Sequence, residues 1–542
     1  MRRVLVLGGY GGFGARLSRR LAGEGWQVIV AGRSIDKARA LAETLPLAEA
    51  ARMDRDGDLA AAVQEHAPDL LVDAAGPFQG SDYRVPRACI HAGVAYLDLA
   101  DAREFVCGIG TLDAEARAAG VPVIAGASSV PALSGAVVEE LARGLQRVTL
   151  VEMSIAASAR TTGGTSVGKA VLSYAGAPMR LWRGRRWTLA TGLSELQRET
   201  YRVPGQRVLR RSVALADVPD HDLLPRRIAG QPSAVFRAGT DSHWQMWLLA
   251  RMSGLVRRGW LPPLTRLADV LLPVQRLLGR FASRDTAMRV DVKGHTGTGW
   301  RRRSWTVFAG KAHGGEIPVM AAQIIAGRLR EGSLPPGARD AGEVLALSDF
   351  TSLFAELDIE THLFDEPYEP PYARVMGVRF ASLPEPVRAM HDIAGDHGAV
   401  GSGVVRRGSG LLARLAAFVM QMPPAGEYPL HVGFTEHGGV ERWTRSFGPH
   451  RFHSELSATG SLLTERFGPL RFRFDLPSDH TGLRMAFRGW SFLGIPLPRF
   501  LGPRIVASET VEDGRFRFEV DVALPLAGPV VHYHGTLEPQ AD

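Results

Sequence analysis

Residues 4–22, with the sequence VLVLGGYGGFGARLSRRLA, decide the fold of the first part of the chain. A short apolar run meets a glycine-rich turn, and a helical pattern with leucines four residues apart follows. Within the turn, Gly9, Gly11 and Gly14 have the G-x-G-x-x-G spacing. That spacing allows a tight turn, close approach of the main chain to a pyrophosphate, and close packing of the helix on the strand. The strand–turn–helix context predicts a dinucleotide site, the alternative being a glycine turn of another α/β fold.

Length and composition indicate a soluble protein of several domains. A chain of 542 residues is too long for one hydrophobic core, so we expect two or three domains. Its 45% hydrophobic and 22% charged residues are ordinary for a globular protein. The net charge of +8 comes almost wholly from arginine and suits an anionic partner. No nucleic-acid-binding motif accompanies this charge, so we expect no nucleic-acid partner.

The cysteines and the first residues favour a cytoplasmic protein. Cys89 and Cys107 match no metal-binding spacing and are interpreted as reduced thiols. The start Met1-Arg2-Arg3 resembles that of a signal peptide. The apolar run behind it is only as long as a strand and ends in glycines, so we do not expect export.

The end of the second predicted strand favours NADP(H) over NAD(H). Residues 26–31 (WQVIVA) read as a buried strand and are followed by Gly32, Arg33 and Ser34. NAD enzymes place an acid at this point to bind the ribose 2′-hydroxyl, whereas NADP enzymes place an arginine. A guanidinium binds a 2′-phosphate through charge-assisted hydrogen bonds, and Ser34 can add a hydroxyl. The alternative is that Arg33 is a solvated loop residue.

Further strands alternate with helices up to residue 125, which predicts a doubly wound parallel sheet. Asp54 ends the third strand and can accept from the adenine amino group, or it can cap the helix that starts near Leu59. Residues 69–75 form the fourth strand, and the small-residue turn behind it should face the pyrophosphate.

The segments GGYGGFG, AGRS, AAGPF, AYLDLA and VPVIAGASSVP, in this order, resemble the saccharopine dehydrogenase/reductase-like superfamily. The resemblance is specific to about residue 141 and looser to about residue 360. It implies an NADP-binding Rossmann domain, residues 1–147, completed by helices from about 317–360 and joined to an inserted catalytic domain. Together with the strand ends above, it implies cofactor contacts at Gly8, Gly9, Gly11, Gly12, Phe13, Gly14, Arg33, Ser34, Asp54, Ala75, Gly76, Pro77 and Phe78. Tyr96 and Asp98 would lie near the nicotinamide as proton donors, or would only support the loops.

The middle of the chain, residues 148–316, is interpreted as an α+β substrate domain. Residues 291–297 and 302–310 read as antiparallel strands that form the floor of a pocket. Lys293, His295 and Tyr174 can meet a substrate carboxylate or donate a proton, although we expect each to be exposed on the surface.

Residues 243–281 are rich in Trp, Leu and Met but are interrupted by arginines and prolines. No apolar run here is long enough to span a bilayer. Basic amphipathic helices of this kind lie at membrane interfaces or line the mouth of an apolar pocket. Ordinary helix packing or a homodimer contact explains the same pattern.

A proline-rich stretch predicts a linker over residues 361–378, followed by a β-rich domain over 379–542. Phe472 and Phe474 alternate with arginines, as do phenylalanines and charges after Asp513-Gly514, which indicates antiparallel strands joined by a hairpin. The segments GVERWTRSFG, FLGIPLPRFLGP and LPLAGPVVHYHG resemble a domain of unknown function found behind saccharopine dehydrogenase-like modules. We expect the sheet to curl round a helix into an apolar cup.

His532 and His534 are two residues apart in a predicted strand and therefore lie on the same face, which is compatible with metal binding. No carboxylate or cysteine is obviously paired with them, so we expect no metal site.

The sequence therefore predicts an NADP(H)-dependent oxidoreductase that moves a hydride to or from a small or lipid-like substrate, by enoyl or keto reduction as the sharper hypothesis. The alternative is a non-catalytic nucleotide- or lipid-binding protein that keeps the cofactor site. We expect a cytoplasmic location, with peripheral contact at the inner face of the membrane through residues 243–281.

Overall fold

The computed structural model describes residues 2–158, 165–279, 283–525 and 527–540. Residues 280 and 281 of the basic apolar segment lie outside the described residues. The first part of the chain alternates strands and helices: β1 (Arg3–Leu7), α1 (Gly12–Gly23), β2 (Gln27–Gly32), α2 (Ile35–Ala42), β3 (Ala48–Arg52), α3 (Leu59–His66), β4 (Leu70–Asp73), α4 (Arg84–Ala92), β5 (Ala95–Asp98), α5 (Arg103–Gly108), α6 (Asp113–Ala119), β6 (Pro122–Ala125) and α7 (Ser134–Ala142).

The middle of the chain mixes longer strands with helices: β7 (Arg147–Ala156), α8 (Thr165–Tyr174), β8 (Pro178–Arg183), β9 (Arg186–Thr191), β10 (Gln197–Tyr201), β11 (Leu209–Leu215), α9 (Asp220–Arg227), β12 (Ser233–Thr240), α10 (His243–Arg257), α11 (Ala268–Gly279), β13 (Thr286–His295), β14 (Trp300–Ala309), α12 (Ile317–Glu331), β15 (Gly337–Asp340), α13 (Thr351–Glu356) and β16 (Glu360–Pro367).

The last part is mainly antiparallel strands: α14 (Pro371–Met376), α15 (Glu385–His391), β17 (His397–Arg407), α16 (Leu411–Val419), β18 (Gly426–His437), β19 (Val440–Phe447), β20 (His450–Thr459), β21 (Leu462–Phe467), β22 (Leu470–Asp475), β23 (Ser478–Asp479), β24 (Gly482–Phe492), β25 (Ile495–Leu497), β26 (Arg504–Glu512), β27 (Arg515–Leu524) and β28 (Gly528–Pro539).

The first seven-stranded sheet is parallel, in the order β15-β6-β5-β4-β1-β2-β3. The apolar run of β1 is fully buried between β2 and β4, and helices cover both faces of the sheet. The strand order reverses between β1 and β4, which is where doubly wound sheets bind ligands. The predicted Rossmann-type fold is therefore confirmed. The returning segment adds β15 to the sheet, in addition to the expected helices.

The second seven-stranded sheet is mixed, in the order β10-β11-β12-β7-β13-β14-β16. β13 and β14 pair antiparallel, with Asp291 opposite Ser304, as the sequence predicts. The linker predicted over residues 361–378 is wrong in its first part, because β16 pairs with β14 as the edge strand of this sheet. Strand pairing here outweighs the turn preference of the prolines that follow.

The C-terminal strands close into an antiparallel barrel of ten strands, because β22 pairs with β24 and joins the two ends of the sheet. The inward residues of the alternating strands form the apolar core of this barrel. The hairpin predicted at Asp513-Gly514 is confirmed: both residues have positive φ, and Glu512 pairs with Arg515. The sheet closes on itself, and residues of α14 and α16 line its interior, so the expected apolar cup is a closed barrel.

Two further observations bear on the sequence predictions. Cys89 is buried, Cys107 is partly buried, and neither forms a disulfide. Among the described residues, no helix is both long enough and apolar enough to cross a bilayer.

Candidate functional site

The turn between β1 and α1 presents bare main chain at the carboxyl edge of the parallel sheet. Gly8 has a φ of +76°, and its N–H donates to the carbonyl of Ala31 at 2.8 Å. A Cβ on Gly14 would lie 2.2 Å from the carbonyl oxygen of Gly8, so a side chain there would push α1 away. Around Gly12, no described heavy atom would lie within 4 Å of a Cβ. The turn is therefore tight on its inner side and open on its outer side, as the approach of a pyrophosphate requires.

Helix α1 begins with backbone donors that no side chain caps. Gly11 precedes the helix in an extended conformation, and the first turn contains no acidic residue. Gly9 is held beneath the turn, since a Cβ there would lie 2.7 Å from the carbonyl oxygen of Val6. Phe13 is half-buried against the core behind the turn. The first N–H groups of α1 and its dipole therefore favour an anion at this end.

The turn after β4 forms the opposite wall of the crevice. A Cβ on Gly8 would lie 2.9 Å from the Cα of Ala75, so the two turns touch. The N–H of Ala75 donates to the buried carboxylate of Asp73 at 2.9 Å, and Nε of Arg55 lies 3.2 Å from the same carboxylate. Burial raises the pKa of Asp73, and the charge of Arg55 opposes that rise. Arg55 was not identified from the sequence. Its position directly after the predicted third strand, which ends at Asp54, could have indicated it.

The tip of this turn faces outward while its end is anchored in the core. Gly76 is half-buried and Pro77 is exposed. The ring of Phe78 is buried against Phe105, with 5.4 Å between ring centroids. The side chain of Phe78 therefore anchors the turn, and we expect any contact of this residue with a cofactor to come from its main chain.

Three polar groups meet at the end of β2. Arg33 is exposed, and within the described part of the chain it has no hydrogen-bond partner. Ser34 caps α2 by accepting the N–H of Lys37 at 3.4 Å, and its own N–H donates to the Tyr10 hydroxyl at 3.0 Å. A Cβ on Gly32 would lie 2.5 Å from the Tyr10 ring, so the phenol packs over this strand end. Tyr10 was missed from the sequence, because the glycine spacing says nothing about the residues between the glycines.

Asp54 is exposed at the end of β3, where its carboxylate accepts the N–H of Asp56 at 3.2 Å. The alternative that Asp54 caps α3 is wrong. Asp58 is the cap and accepts the N–H of Ala61 at 3.0 Å, because it directly precedes the helix. An adenine contact at Asp54 stays a prediction.

Tyr96 and Asp98 on β5 are both fully buried. The carboxylate of Asp98 accepts the N–H groups of Gly126 at 2.7 Å and Ala100 at 2.9 Å, which ties the ends of β5 and β6 together. Burial raises the pKa of Asp98 to about 7, against the lowering effect of these two hydrogen bonds. This burial fits the alternative in which the two residues support the loops, and their role as proton donors stays a prediction.

The middle of the chain brings Tyr174 to the loop that follows β5. Nε2 of Gln79 donates to Asp101 at 3.3 Å and links the two loops at this edge of the sheet. Burial, followed by the charges of Asp101 and Asp217, raises the pKa of Tyr174. The side chain is half-buried, and its phenol is protonated at neutral pH, as that of an ordinary tyrosine is. The expectation of full surface exposure for Tyr174 is wrong.

Arg103 joins the parallel sheet to the middle of the chain beside this site. Its Nε donates to Asp222 at 2.8 Å, and its Nη1 donates to Asp217 at 3.0 Å and to the carbonyl of Arg180 at 2.8 Å. Arg103 is buried, so these charge-assisted bonds act in a low-dielectric environment. They set the position of the middle segment against the crevice.

Two other predicted substrate residues lie elsewhere. Lys293 is buried and forms an ion pair with Glu436 of the C-terminal barrel, so its expected exposure is wrong. Its ammonium lies 5.0 Å from the centroid of the Tyr368 ring. His295 is half-buried and accepts the N–H of Gly297 at 3.0 Å. These contacts place Lys293 against the barrel and His295 at the turn between β13 and β14.

The two C-terminal histidines have rings 5.3 Å apart, and Nε2 of His532 lies 3.1 Å from Glu519. The sequence did not reveal this carboxylate, which comes from the neighbouring strand. Over the described ranges, no three His, Cys, Asp or Glu side chains are grouped closely enough to hold a metal ion.

Two family models match the chain. The model of the saccharopine dehydrogenase NADP binding domain matches residues 4–124, and that of a domain of unknown function (DUF4166) matches residues 383–537. The chain joins these two domains. The first match contains the glycine turn, the end of β2 and the turn after β4, so these lie in a domain described as NADP-binding. None of the curated proteins matches the chain.

Parts of the chain are also similar to solved structures. The amine dehydrogenase from Mycobacterium smegmatis is 12% identical, with a TM-score of 0.37, over 63% of this chain and 95% of that one. A short chain dehydrogenase/reductase family protein is 17% identical, with a TM-score of 0.20, over 23% of this chain and 72% of that one. The 3-ketoacyl-(acyl-carrier-protein) reductase from Brucella melitensis, complexed with NADH, is 20% identical, with a TM-score of 0.19, over 23% and 73%.

Proposed function

We propose that the chain is an NADP(H)-dependent oxidoreductase that transfers a hydride to or from a small or lipid-like organic substrate. The observation that carries this proposal is the crevice between the glycine turn and the turn at residues 75–78, where Gly12 leaves the main chain open. A diphosphate fits the uncapped start of α1. The nicotinamide cofactor, when bound, supplies or accepts the hydride.

The preference for NADP(H) over NAD(H) is supported by the end of β2. Arg33 provides an exposed cation, and Ser34 and Tyr10 provide two hydroxyls beside it. A ribose 2′-phosphate can accept charge-assisted hydrogen bonds from the guanidinium and neutral ones from the hydroxyls. The described residues place no acid at the position where an NAD enzyme binds the 2′-hydroxyl.

We propose Tyr174 as the proton donor, because its half-buried side chain lies within the electrostatic influence of Asp101 in the loop that follows β5. A tyrosine phenol is protonated at neutral pH, and burial and the charges of Asp101 and Asp217 raise its pKa further. Arg103 donates to Asp217, and Gln79 donates to Asp101, so both carboxylates are held in place. The substrate class proposed, an enoyl or keto compound, needs one proton for each hydride it receives.

The test measures binding and turnover separately. NADPH is titrated into the full chain by fluorescence, and its oxidation is then followed with a panel of enoyl and keto thioesters. We expect Tyr174→Phe to lower kcat by about 10²- to 10⁴-fold with unchanged NADPH affinity. Tyr428→Phe, at a half-buried tyrosine of the barrel, is the matched control. NADPH binding without turnover over the whole panel would contradict the oxidoreductase and support the non-catalytic alternative.

A peripheral membrane contact through α10 and α11 belongs to the same proposal. Trp244, Trp247 and Trp260 are exposed, and the guanidinium of Arg251 lies 5.2 Å from a Trp247 ring centroid. Exposed tryptophans with arginines suit the headgroup region of a bilayer. We expect Trp247→Glu to weaken sedimentation with anionic vesicles. If it instead dissociates a homodimer and leaves vesicle binding unchanged, the face is a protein contact.

A further inference from the structure

The C-terminal barrel contains a second cavity, separate from the cofactor crevice, with a volume of about 600 Å³. This volume is within the usual range for ligand pockets. Its wall is mostly aliphatic and aromatic, including Val432, Phe472, Phe474, Phe516 and Val520. The barrel is thus not filled by its own side chains, which is unusual for protein interiors.

The cavity is closed at one end and open at the other. Tyr372 of α14 lines it, and the ring of His391 on α15 stacks on Tyr372 at 3.7 Å. At the opposite end, Leu412, Leu415 and Leu501 line the cavity and are also exposed to solvent. The mouth therefore lies between α16 and the segment 492–503.

The charged side chains in the described wall are paired with one another. Arg445 lies 3.5 Å from Glu465 and donates to the hydroxyl of Ser454 at 2.8 Å. Glu509 is 2.5 Å from Nε2 of His391. A buried charge without a partner is costly, and these pairs leave none for a ligand to neutralise. The wall therefore suits an uncharged apolar chain.

Both lips of the mouth expose large apolar side chains. On α16, Leu411, Leu415 and Phe418 are four or three residues apart and are exposed, with Phe418 77% exposed. On the other lip, Leu493 is 72% and Phe500 77% exposed. Soluble proteins rarely expose such contiguous apolar surface unless something docks on it.

The charge of the two lips is entirely positive. Arg414 on α16 and Arg499 and Arg504 on the other lip are exposed. Residues 408–426 and 480–508 contain no Asp or Glu. Apolar side chains interspersed with arginine and free of acids complement the surface of an anionic bilayer.

We propose that the barrel is a binding site for an acyl chain and that its mouth docks on an anionic phospholipid bilayer, from which the chain is drawn. The apolar tail enters between Leu415 and Leu501, and the anionic headgroup stays outside with Arg414, Arg499 and Arg504. No bond forms or breaks in this step. The proposal needs neither the nicotinamide cofactor nor the reaction, so it can fail or hold independently of the proposed function.

Docking is tested by sedimentation of the full chain carrying Trp247→Glu, which removes the proposed contact of α10, with vesicles of phosphatidylcholine alone or mixed with phosphatidylglycerol. We expect binding to the mixed vesicles and at least a tenfold weaker affinity for the double variant Leu415→Glu/Phe500→Glu. The matched control is Leu189→Glu/Val378→Glu, which places the same charges at two exposed aliphatic positions away from the mouth. Equal binding by both double variants would overturn the docking surface. So would a change from dimer to monomer without a change in vesicle binding, which would assign the mouth to a second copy.

Occupancy of the cavity is tested by native mass spectrometry of the chain after incubation with the mixed vesicles and removal of lipid. We expect recovered protein to carry one lipid or fatty acid. Ala507→Trp, which fills the cavity, should lower loading at least tenfold and leave vesicle binding unchanged. Ala416→Trp, on α16, is the second variant in case the first does not fold, and an unfolding profile in urea like that of the wild-type chain verifies folding in both. Lipid-free wild-type protein, or equal loading of a folded cavity-filled variant, would overturn the proposal.

Discussion

The cofactor crevice and the barrel cavity are built in opposite ways. At the crevice, the binding surface is formed by the main chain, because the glycines have no side chains and the N–H groups at the start of α1 are not capped. In the barrel, side chains line the cavity, and the main chain of the strands is hydrogen-bonded to neighbouring strands. A binding site made of main chain demands particular residues at particular positions, whereas a wall of side chains accepts many apolar residues.

The barrel is joined to the mixed sheet by a charged interface. Lys293 and Glu152 of the mixed sheet face Glu436 and His437 at one end of β18. Their ion pairs lie around a polar cavity of about 620 Å³ between the sheet and the barrel.

Breaking the buried ion pair should have the largest effect. We expect Lys293→Met to lower the free energy of unfolding by about 3–5 kcal/mol, because the buried Glu436 carboxylate loses its cationic partner and keeps the neutral N–H of Gly439. Urea denaturation measures the change. Lys311→Met, which removes an exposed pair with Asp358, should cost about 0–1 kcal/mol. If the two variants lose equal stability, the buried pair does not support the interface.

Adding a side chain to the glycine turn should affect only the crevice. We expect Gly14→Ala to weaken NADPH binding by about 10- to 100-fold, since overpacking costs about 1–3 kcal/mol and the new Cβ meets the Gly8 carbonyl. Fluorescence titration measures the affinity. Gly23→Ala in the same helix, where the space is open, is the control. Vesicle binding should be unchanged in both, and a parallel loss would contradict the separation of the two spaces.

Reversing the charge of Arg33 should lower the affinity for NADPH but not that for NADH. We expect Arg33→Asp to weaken NADPH binding about tenfold, the equivalent of losing one hydrogen bond to a charged group, and to leave NADH binding nearly unchanged. Arg39→Asp makes the same charge change at another exposed arginine. Equal effects of Arg33→Asp on both cofactors would remove the assignment to NADP(H).

The smallest effect should be on the pH dependence of the interface. The hydrogen bond to Glu152 raises the pKa of His437 above its ordinary value, with Glu199 assisting and burial and Arg237 opposing. A histidine whose pKa is higher in the folded state stabilises the fold. This stabilisation is fully present below the unfolded-state pKa near 6.5 and is lost as the pH rises through the folded-state pKa. We therefore expect the urea midpoint to fall above neutral pH. His437→Gln should flatten this dependence, and an unchanged profile in that variant would assign it to another group.

The parts of the fold and site that the sequence predicts are those with strict local requirements. The glycine turn, the Rossmann-type sheet and the Asp513-Gly514 hairpin follow from residues that only certain backbone conformations tolerate. The family match over residues 4–124 agrees with the same glycine pattern. Arg33 was placed correctly at the end of a strand because strand length and spacing set that position.

Other features need contacts between distant residues, which no local pattern encodes. Lys293 and Glu436 are 143 residues apart in the chain, and each alone reads as a surface charge. The burial of Tyr96 and Asp98, and the approach of Tyr174 to the loop after β5, depend on how the sheets pack. The packing of the Tyr10 ring over Gly32 is likewise a contact that the glycine spacing does not indicate.

The sequence alone shows where the main chain is bare, which strand faces are dry, and where turns occur, because these depend on the residue and its immediate neighbours. Tertiary packing is needed to show that β22 pairs with β24 and closes the barrel, that β16 joins the mixed sheet, and that the barrel keeps an open cavity. Alternation of apolar and polar residues identifies the dry face of a strand but not its partner. The partner is chosen by how all the strands together bury that face, which is a property of the whole chain.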